Sequence, residues 1–294
     1  MEAAAWLGDR LHGFRAASRS VTMMKDNPLV PRPKVSLENV SVAYDGLTVV
    51  SDVSLSLADG EFLSIVGPSG CGKSTLLKLV SGLERPSAGH IFTDGKEVLA
   101  TPPKLGFMFQ RDALLPWATV EGNINVGLEL AGCPTAERDA RRKGLIEFLQ
   151  LQGFENHYPA QLSGGMRQRV SLGRLLAYEP EIYLMDEPFG ALDAQTKMTM
   201  GRELLRIWSS YRKSVMFVTH DIEEAVYLSN RVLVISGRPG RIKKEFKVDL
   251  PYPRDFRVIR KMPEFHDLCS EIWDQVTDTP SPNTTGDIPV TAIA

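Results

Sequence analysis

From Val35 onward, short apolar runs are separated by pairs that favour turns. Val35 to Val40, Val53 to Leu57, Phe62 to Val66 and His90 to Thr93 read as strands, punctuated by Asp45-Gly46, Asp59-Gly60 and Asp94-Gly95. Phe62-Leu63-Ser64-Ile65-Val66 is apolar on both faces, as a buried strand requires. Lys104 to Phe109 adds a further apolar strand. Between about 115 and 178 the period changes, and Leu128, Leu130, Leu145, Ile146, Phe148 and Leu149 recur at helix-like spacing. The chain then alternates: strand Ile182 to Met185, helix Ala194 to Tyr211, strand Val215 to Thr219, helix Ile222 to Ser229, and the short apolar run Val232 to Ile235. Alternation of this kind predicts an α/β fold with a parallel sheet flanked by helices. Ligands of such sheets bind at the carboxyl ends of the strands.

The flanks read differently. Residues 1–34 carry Pro28, Pro31 and Pro33 and form an N-terminal extension. Within it Trp6, Leu7, Leu11 and Phe14 make a short apolar stripe beside Arg10, Arg15 and Arg19. A frayed terminus, or an over-called start codon upstream of Met23 or Met24, is favoured over an interfacial anchor. Residues 246–276 read as a short C-terminal helical extension, and 277–294, rich in Pro, Thr, Ser and Asp, as a disordered tail.

Composition narrows the class. At 294 residues, 43% hydrophobic and 24% charged, the chain can bury a sizeable core. A formal charge of −2 gives no general attraction for nucleic acid. No apolar run approaches the ~20 residues of a membrane helix. Asp9, Arg10, His12 and Arg15 interrupt any signal-peptide core. Cys71, Cys133 and Cys269 form no C-x-x-C pair, which suits reduced thiols in the cytosol.

The chemistry is carried by Gly67-Pro68-Ser69-Gly70-Cys71-Gly72-Lys73-Ser74-Thr75, a full G-x-x-x-x-G-K-[ST] phosphate-binding loop. It lies between the Phe62–Val66 strand and a helical run from Leu76, the context that the motif needs. Its glycines let backbone N–H groups turn inward around phosphate oxygens. Lys73 reaches the β- and γ-phosphates, and the Ser74 hydroxyl is a Mg²⁺ ligand. The chain therefore binds a nucleoside triphosphate. Asp186, at the end of a strand, is placed to hold Mg²⁺, and Glu187 to orient and deprotonate an attacking water. Gln110 and His220 also end strands. Leu162-Ser163-Gly164-Gly165 opens a helix and offers a second anion site. Each of these is ordinary alone; together, in this order, they are specific.

In that order the chain resembles the ATP-binding cassette ATPases of ABC transporters, over roughly residues 35–245. The resemblance implies a P-loop NTPase (RecA-like) core with an antiparallel β subdomain and an α-helical subdomain at about 115–178. It implies a head-to-tail homodimer holding two ATP molecules, each touching one protomer's phosphate loop and the other's Ser163, Gly164 and Gly165. Tyr44 matches the residue that stacks on adenine, and Gln110 the residue that meets the metal and senses the γ-phosphate. Asp193 matches the loop linking the two sites, and His220 the γ-phosphate contact. Met166 stands where the family most often has glutamine, although Met-Arg-Gln-Arg is common in some importer branches. Cys71 is read first as a small loop filler with no role; the less favoured reading is a site where thiol reagents disturb ATP binding, since helix N-termini lower thiol pKa.

With no membrane span, the chain is expected to work with a separate transmembrane permease, peripherally on the cytoplasmic face of the inner membrane, and indirectly with an extracytoplasmic solute-binding protein. Leu114, Leu115 and Trp117 line a permease groove or pack inside the helical subdomain. Arg238-Pro239-Gly240-Arg241-Ile242 and Leu250-Pro251-Tyr252-Pro253-Arg254-Asp255 resemble the nitrate/sulfonate/taurine importer ATPases, so the expected cargo is a small anion. The alternative is a soluble ABC-family ATPase of translation or DNA repair. Those proteins usually carry two cassettes or a long coiled coil, and neither is seen here. A GTPase would want an N-K-x-D motif, which is not found.

Overall fold

The computed structural model describes residues 32–111 and 113–277. The N-terminal apolar stripe and the Pro/Thr/Ser-rich tail lie outside the described residues. Strands β1 (Val35–Tyr44) and β2 (Leu47–Leu57) form a hairpin, pairing Val35 with Leu57 and Tyr44 with Leu47. Asp45 and Gly46 both take positive φ (48° and 80°), the backbone that a two-residue hairpin turn demands. Strands β4 (Ala88–Thr93) and β5 (Lys96–Glu97) complete an antiparallel sheet of order β2-β1-β4-β5. Along β1 the inward side chains are Val35, Leu37, Val40 and Val42.

The second sheet has the order β10-β9-β3-β8-β7-β6. Its strands are β3 (Phe62–Val66), β6 (Leu105–Met108), β7 (Ile182–Asp186), β8 (Ser214–Val218), β9 (Arg231–Ile235) and β10 (Ile242–Lys247). The five strands from β9 to β6 are parallel, and β10 runs antiparallel to β9. Every residue of β3, β7 and β8 is buried, because layers cover both faces. Leu63, Ile65, Leu184, Met216 and Leu233 face a core shared with the antiparallel sheet and α1 (Lys73–Val80). Phe62, Val66, Met185, Phe217 and Val234 face the opposite core. β10 was not anticipated, because Ile-Lys-Lys-Glu-Phe-Lys is mostly charged and only Phe246 turns inward. That composition suits an edge strand.

The opposite core holds α2 (Val120–Leu130), α3 (Thr135–Phe148) and α4 (Gly164–Tyr178), where Ile124, Leu128, Leu145, Ile146, Leu149, Val170 and Leu172 meet. α2 approaches α4 so closely that a Cβ at Gly127 would meet the Arg174 carbonyl at 2.3 Å. Leu130, expected on the same apolar spacing, ends α2 and is exposed. Further along lie α5 (Ala194–Tyr211), α6 (Ile222–Leu228), α7 (Phe256–Ile259) and α8 (Pro263–Thr277). Ile259, Phe265 and Ile272 join the same core. The buried Arg254 stacks on Tyr252 and donates to the carbonyls of Val226, Tyr227, Ser229, Val248 and Leu250. It thereby caps α6 and ties the C-terminal segment to it. Among the described residues no helix is long and apolar enough to cross a membrane.

Candidate functional site

The parallel register brings the expected residues to one edge. Ile65 and Asp186 both pair with Val218, and Met108 pairs with Met185. The segments leaving β3, β6, β7 and β8 therefore emerge side by side, carrying Gly67, Gln110, Glu187 and His220.

After β3 the chain wraps through Gly67, Pro68, Ser69, Gly70, Cys71 and Gly72 into α1. Gly72 caps α1 in the left-handed conformation (φ 100°), and a Cβ there would meet Val50 Cγ2 at 2.7 Å. The loop is thus pressed against β2, and the β9–β10 turn holds it from another side. Arg238 Nε donates to Gly70 O at 2.7 Å, Gly240 N to Val49 O at 2.8 Å, and Ser51 N to Gly240 O at 3.0 Å. Lys73 is buried, and its Nζ donates to Gly67 O (2.8 Å) and Pro68 O (2.9 Å). Among the described residues it has no carboxylate partner, so a buried cation inside a ring of backbone dipoles fits a polyanion. Thr75 follows on the first turn of α1, partly buried.

Ser74 Oγ donates to Asp186 Oδ1 at 3.0 Å. Burial raises the Asp186 pKa, while the Ser74 hydroxyl and Lys73 pull it down. A hydroxyl and a carboxylate side by side are hard oxygen donors of the kind Mg²⁺ takes. Among the described residues no group of three or more His, Cys, Asp or Glu forms a metal cage. A cation at Ser74 and Asp186 would complete its shell from phosphate and water oxygens, as Mg²⁺ does beside nucleotides.

Glu187 is the hub. Gln110 Nε2 donates to its Oε2 at 3.2 Å, and His220 Nδ1 lies 3.4 Å from the same oxygen. Its backbone is left-handed (φ 47°), which costs a non-glycine residue about 1–3 kcal/mol. Three hydrogen bonds hold it there: Glu187 N donates to Val218 O, and Glu187 O accepts from Gly190 N and Gln168 Nε2.

The remaining expected residues lie further out. Tyr44 ends β1, is 43% exposed, and donates its hydroxyl to Glu84, which also accepts from Lys78 of α1 at 3.1 Å. Ser163 caps α4, its Oγ accepting from Met166 N at 3.2 Å, and Ser163 and Gly164 face solvent. No hydrogen bond joins Ser163 to the phosphate loop among the described residues. Asp193 caps α5, accepting from Thr196 N (3.0 Å) and Thr196 Oγ1 (2.6 Å), and these bonds lower its pKa. Leu114 packs on the core, whereas Trp117 is 74% exposed.

The structure speaks against the less favoured reading of Cys71. Its thiol is buried and its pKa is raised, because desolvation outweighs the neighbouring Lys73. The reading of the motif also passed over Gln168, Glu84 and the Arg238 brace. Gln168 shares the face of α4 with Leu172 and Leu175, all buried, and a polar residue on an apolar face was the available signal.

The ABC transporter family profile matches residues 50–190. The chain is 47% identical over 241 residues to an uncharacterized ABC transporter ATP-binding protein of Methanocaldococcus jannaschii, covering 79% of this chain and 90% of that one. It is 45% identical over 234 residues to the aliphatic sulfonates import ATP-binding protein SsuB of Bacillus licheniformis, covering 79% and 88%. Among solved structures it is similar to a dimeric, post-hydrolysis ATP-binding cassette bound to ADP and Pi, at a TM-score of 0.66 and 33% identity, over 74% of this chain and all of that one.

Proposed function

Because the chain belongs to the ABC transporter family, as one of its ATP-binding subunits, we propose that its ATP hydrolysis powers import of a small anion, such as a sulfonate, taurine or nitrate, through a separate permease. The single observation that carries the catalytic part is the meeting of Gln110 and His220 on one oxygen of Glu187, next to Asp186 and Ser74. The sulfonate importer relative supports the branch. It also favours import over a soluble ATPase of translation or repair.

In this reading the loop Gly67–Thr75 holds the triphosphate through backbone N–H groups, with Lys73 on the β- and γ-phosphates. Tyr44 supports the adenine. Ser74 and Asp186 hold Mg²⁺, with Gln110 as a further contact, and the ion when bound neutralises charge on the phosphates. Glu187 orients the attacking water and accepts its proton, and His220 steadies the γ-phosphate. Ser163, Gly164 and Gly165 of one protomer serve the ATP of the other in a head-to-tail pair, with Asp193 near the junction. The exposed start of α4 and the dimeric cassette of known structure support that arrangement. The cassette is taken as 35–245 with its helical part at 115–178. The protein sits peripherally on the inner membrane, and Trp117 faces the permease.

The test is purification of the tagged chain from gently solubilised membranes, followed by identification of its partners. A co-purifying polytopic permease is expected; recovery only with ribosomes or DNA would overturn the import reading. In parallel, Glu187→Gln is expected to bind ATP and accumulate as a closed dimer, and normal turnover in that variant would remove Glu187 as the base.

A further inference from the structure

Gln168 occupies a place that packing alone does not explain. It lies on α4, past the exposed cap Ser163, and its side chain is only 4% exposed. Both ends of its amide are used across the gap to the loop after β7. Nε2 donates to Glu187 O at 2.9 Å, and Oε1 accepts from Ala191 N at 2.9 Å. The partners fix which end is which, since a carbonyl must face the NH₂ group and an N–H the oxygen.

Glu187 stands in a strained left-handed conformation, and such residues persist only where their surroundings over-determine them. Val218 O and Gly190 N give two of its backbone bonds; Gln168 gives the third and is the only one of these partners on α4. A second contact follows the same path. A Cβ at Gly165 would lie 3.2 Å from Leu192 Cδ2 and 3.4 Å from Ala191 O, so the start of α4 rests on the far end of the same loop. The helix that presents Ser163 outward therefore grips the loop carrying Glu187 at two heights.

We propose that Gln168 is a positioning residue for Glu187, which sets the carboxylate's place against Gln110 and His220 and couples it to the orientation of α4. The inference rests on the reading of Glu187 as the catalytic base. A tilt of α4 moves the amide, the amide moves the Glu187 carbonyl, and the carboxylate leaves its line with the attacking water. Displacement of a reacting group by about 1 Å can cost on the order of a hundredfold in rate.

The experiment is steady-state ATP hydrolysis by the full chain as wild type, Gln168→Met, Glu187→Gln and the double variant. Gln168→Met keeps the length and volume of the side chain and removes both hydrogen bonds. It is expected to lower kcat about ten- to a hundredfold, leaving KM and the melting temperature near wild type. In the Glu187→Gln background the same change is expected to cost less than about twofold, since it acts through that carboxylate. If Gln168→Met does not purify, Gln168→Glu serves, because it keeps the acceptor for Ala191 N and loses the donor to Glu187 O. Turnover within twofold of wild type, a loss shared by kcat and ATP affinity, or an equal loss in both backgrounds would overturn the positioning role alone. Equal turnover by Glu187→Gln and wild type would overturn the base assignment and this inference with it.

Discussion

Gln110 donates its side-chain N–H to Glu187 across two neighbouring strand ends, 3.2 Å from Nε2 to Oε2. The two residues leave β6 and β7, which pair in parallel up to Met108 and Met185. Gln110→Glu would set a second carboxylate against the first, and like charges at that distance cannot both be accommodated. The expected outcome is a loss of about ten- to a hundredfold in kcat with ATP affinity changed by only a fewfold, as read from steady-state hydrolysis and an ATP-analogue titration.

Lys73 carries the buried positive charge of the phosphate loop without a carboxylate partner among the described residues. Lys73→Ala should weaken ATP binding by about 10- to 150-fold, the range of 1.5–3 kcal/mol for a hydrogen bond to a charged group. Ser74→Ala removes one of two adjacent oxygen donors and should raise the Mg²⁺ concentration needed for half-maximal hydrolysis. An unchanged Mg²⁺ midpoint would place the ion elsewhere.

Glu224, in the first turn of α6, accepts from Thr219 Oγ1 just ahead of His220. Burial pushes its pKa up to about 7, opposed by that hydroxyl and by Lys197, and assisted by Asp221 and Glu187. A carboxyl whose pKa is raised on folding favours the fold while protonated. Its contribution is full below the unfolded value, near pH 4.5, and is lost as pH rises through about 7. Glu224→Gln should therefore gain melting temperature relative to wild type across that window. The scale is about 2–4 °C per kcal/mol for a domain of this size. A parallel pair of melting curves from pH 5 to 8 would remove Glu224 as the source.

Burial raises the pKa of all three thiols, and that of Cys269 to about 12. Iodoacetamide at neutral pH should alkylate Cys71 at least about tenfold more slowly in the native chain than in the unfolded one, because the thiolate is the nucleophile. Peptide mapping after a timed pulse reads this directly. Rapid native labelling of Cys71 with loss of ATP binding would restore the reading in which the helix terminus lowers its pKa.

The parallel core and the edge that gathers Gln110, Asp186, Glu187 and His220 were legible because their signals are local. Apolar runs such as Phe62–Val66 and Ile182–Met185 have no reading other than buried strands, and each site residue stands directly after one. β10 was not legible, since its residues answer to an edge that exists only once β9 is in place. The partners of Gln168 lie on the loop from Glu187 to Ala191, and no spacing in α4 points there. The state of the Cys71 thiol was not legible for a similar reason. A helix start stabilises a thiolate, but whether water reaches it depends on β2 and the β9–β10 turn, which come from distant parts of the chain.

Arg254 has a consequence for how short the protein can be made. Similarity to other cassettes invites trimming near residue 245, as though the C-terminal segment were an appendix. Yet this guanidinium plugs the end of α6, the helix entered directly from His220, and trimming there would leave the carbonyls of Val226, Tyr227 and Ser229 without it. A shortened chain keeps every residue from the phosphate loop to His220 and still loses the brace on the helix that follows His220. The boundary of the working unit is thus set by a side chain outside the nucleotide-site motifs, and it falls well beyond the last strand.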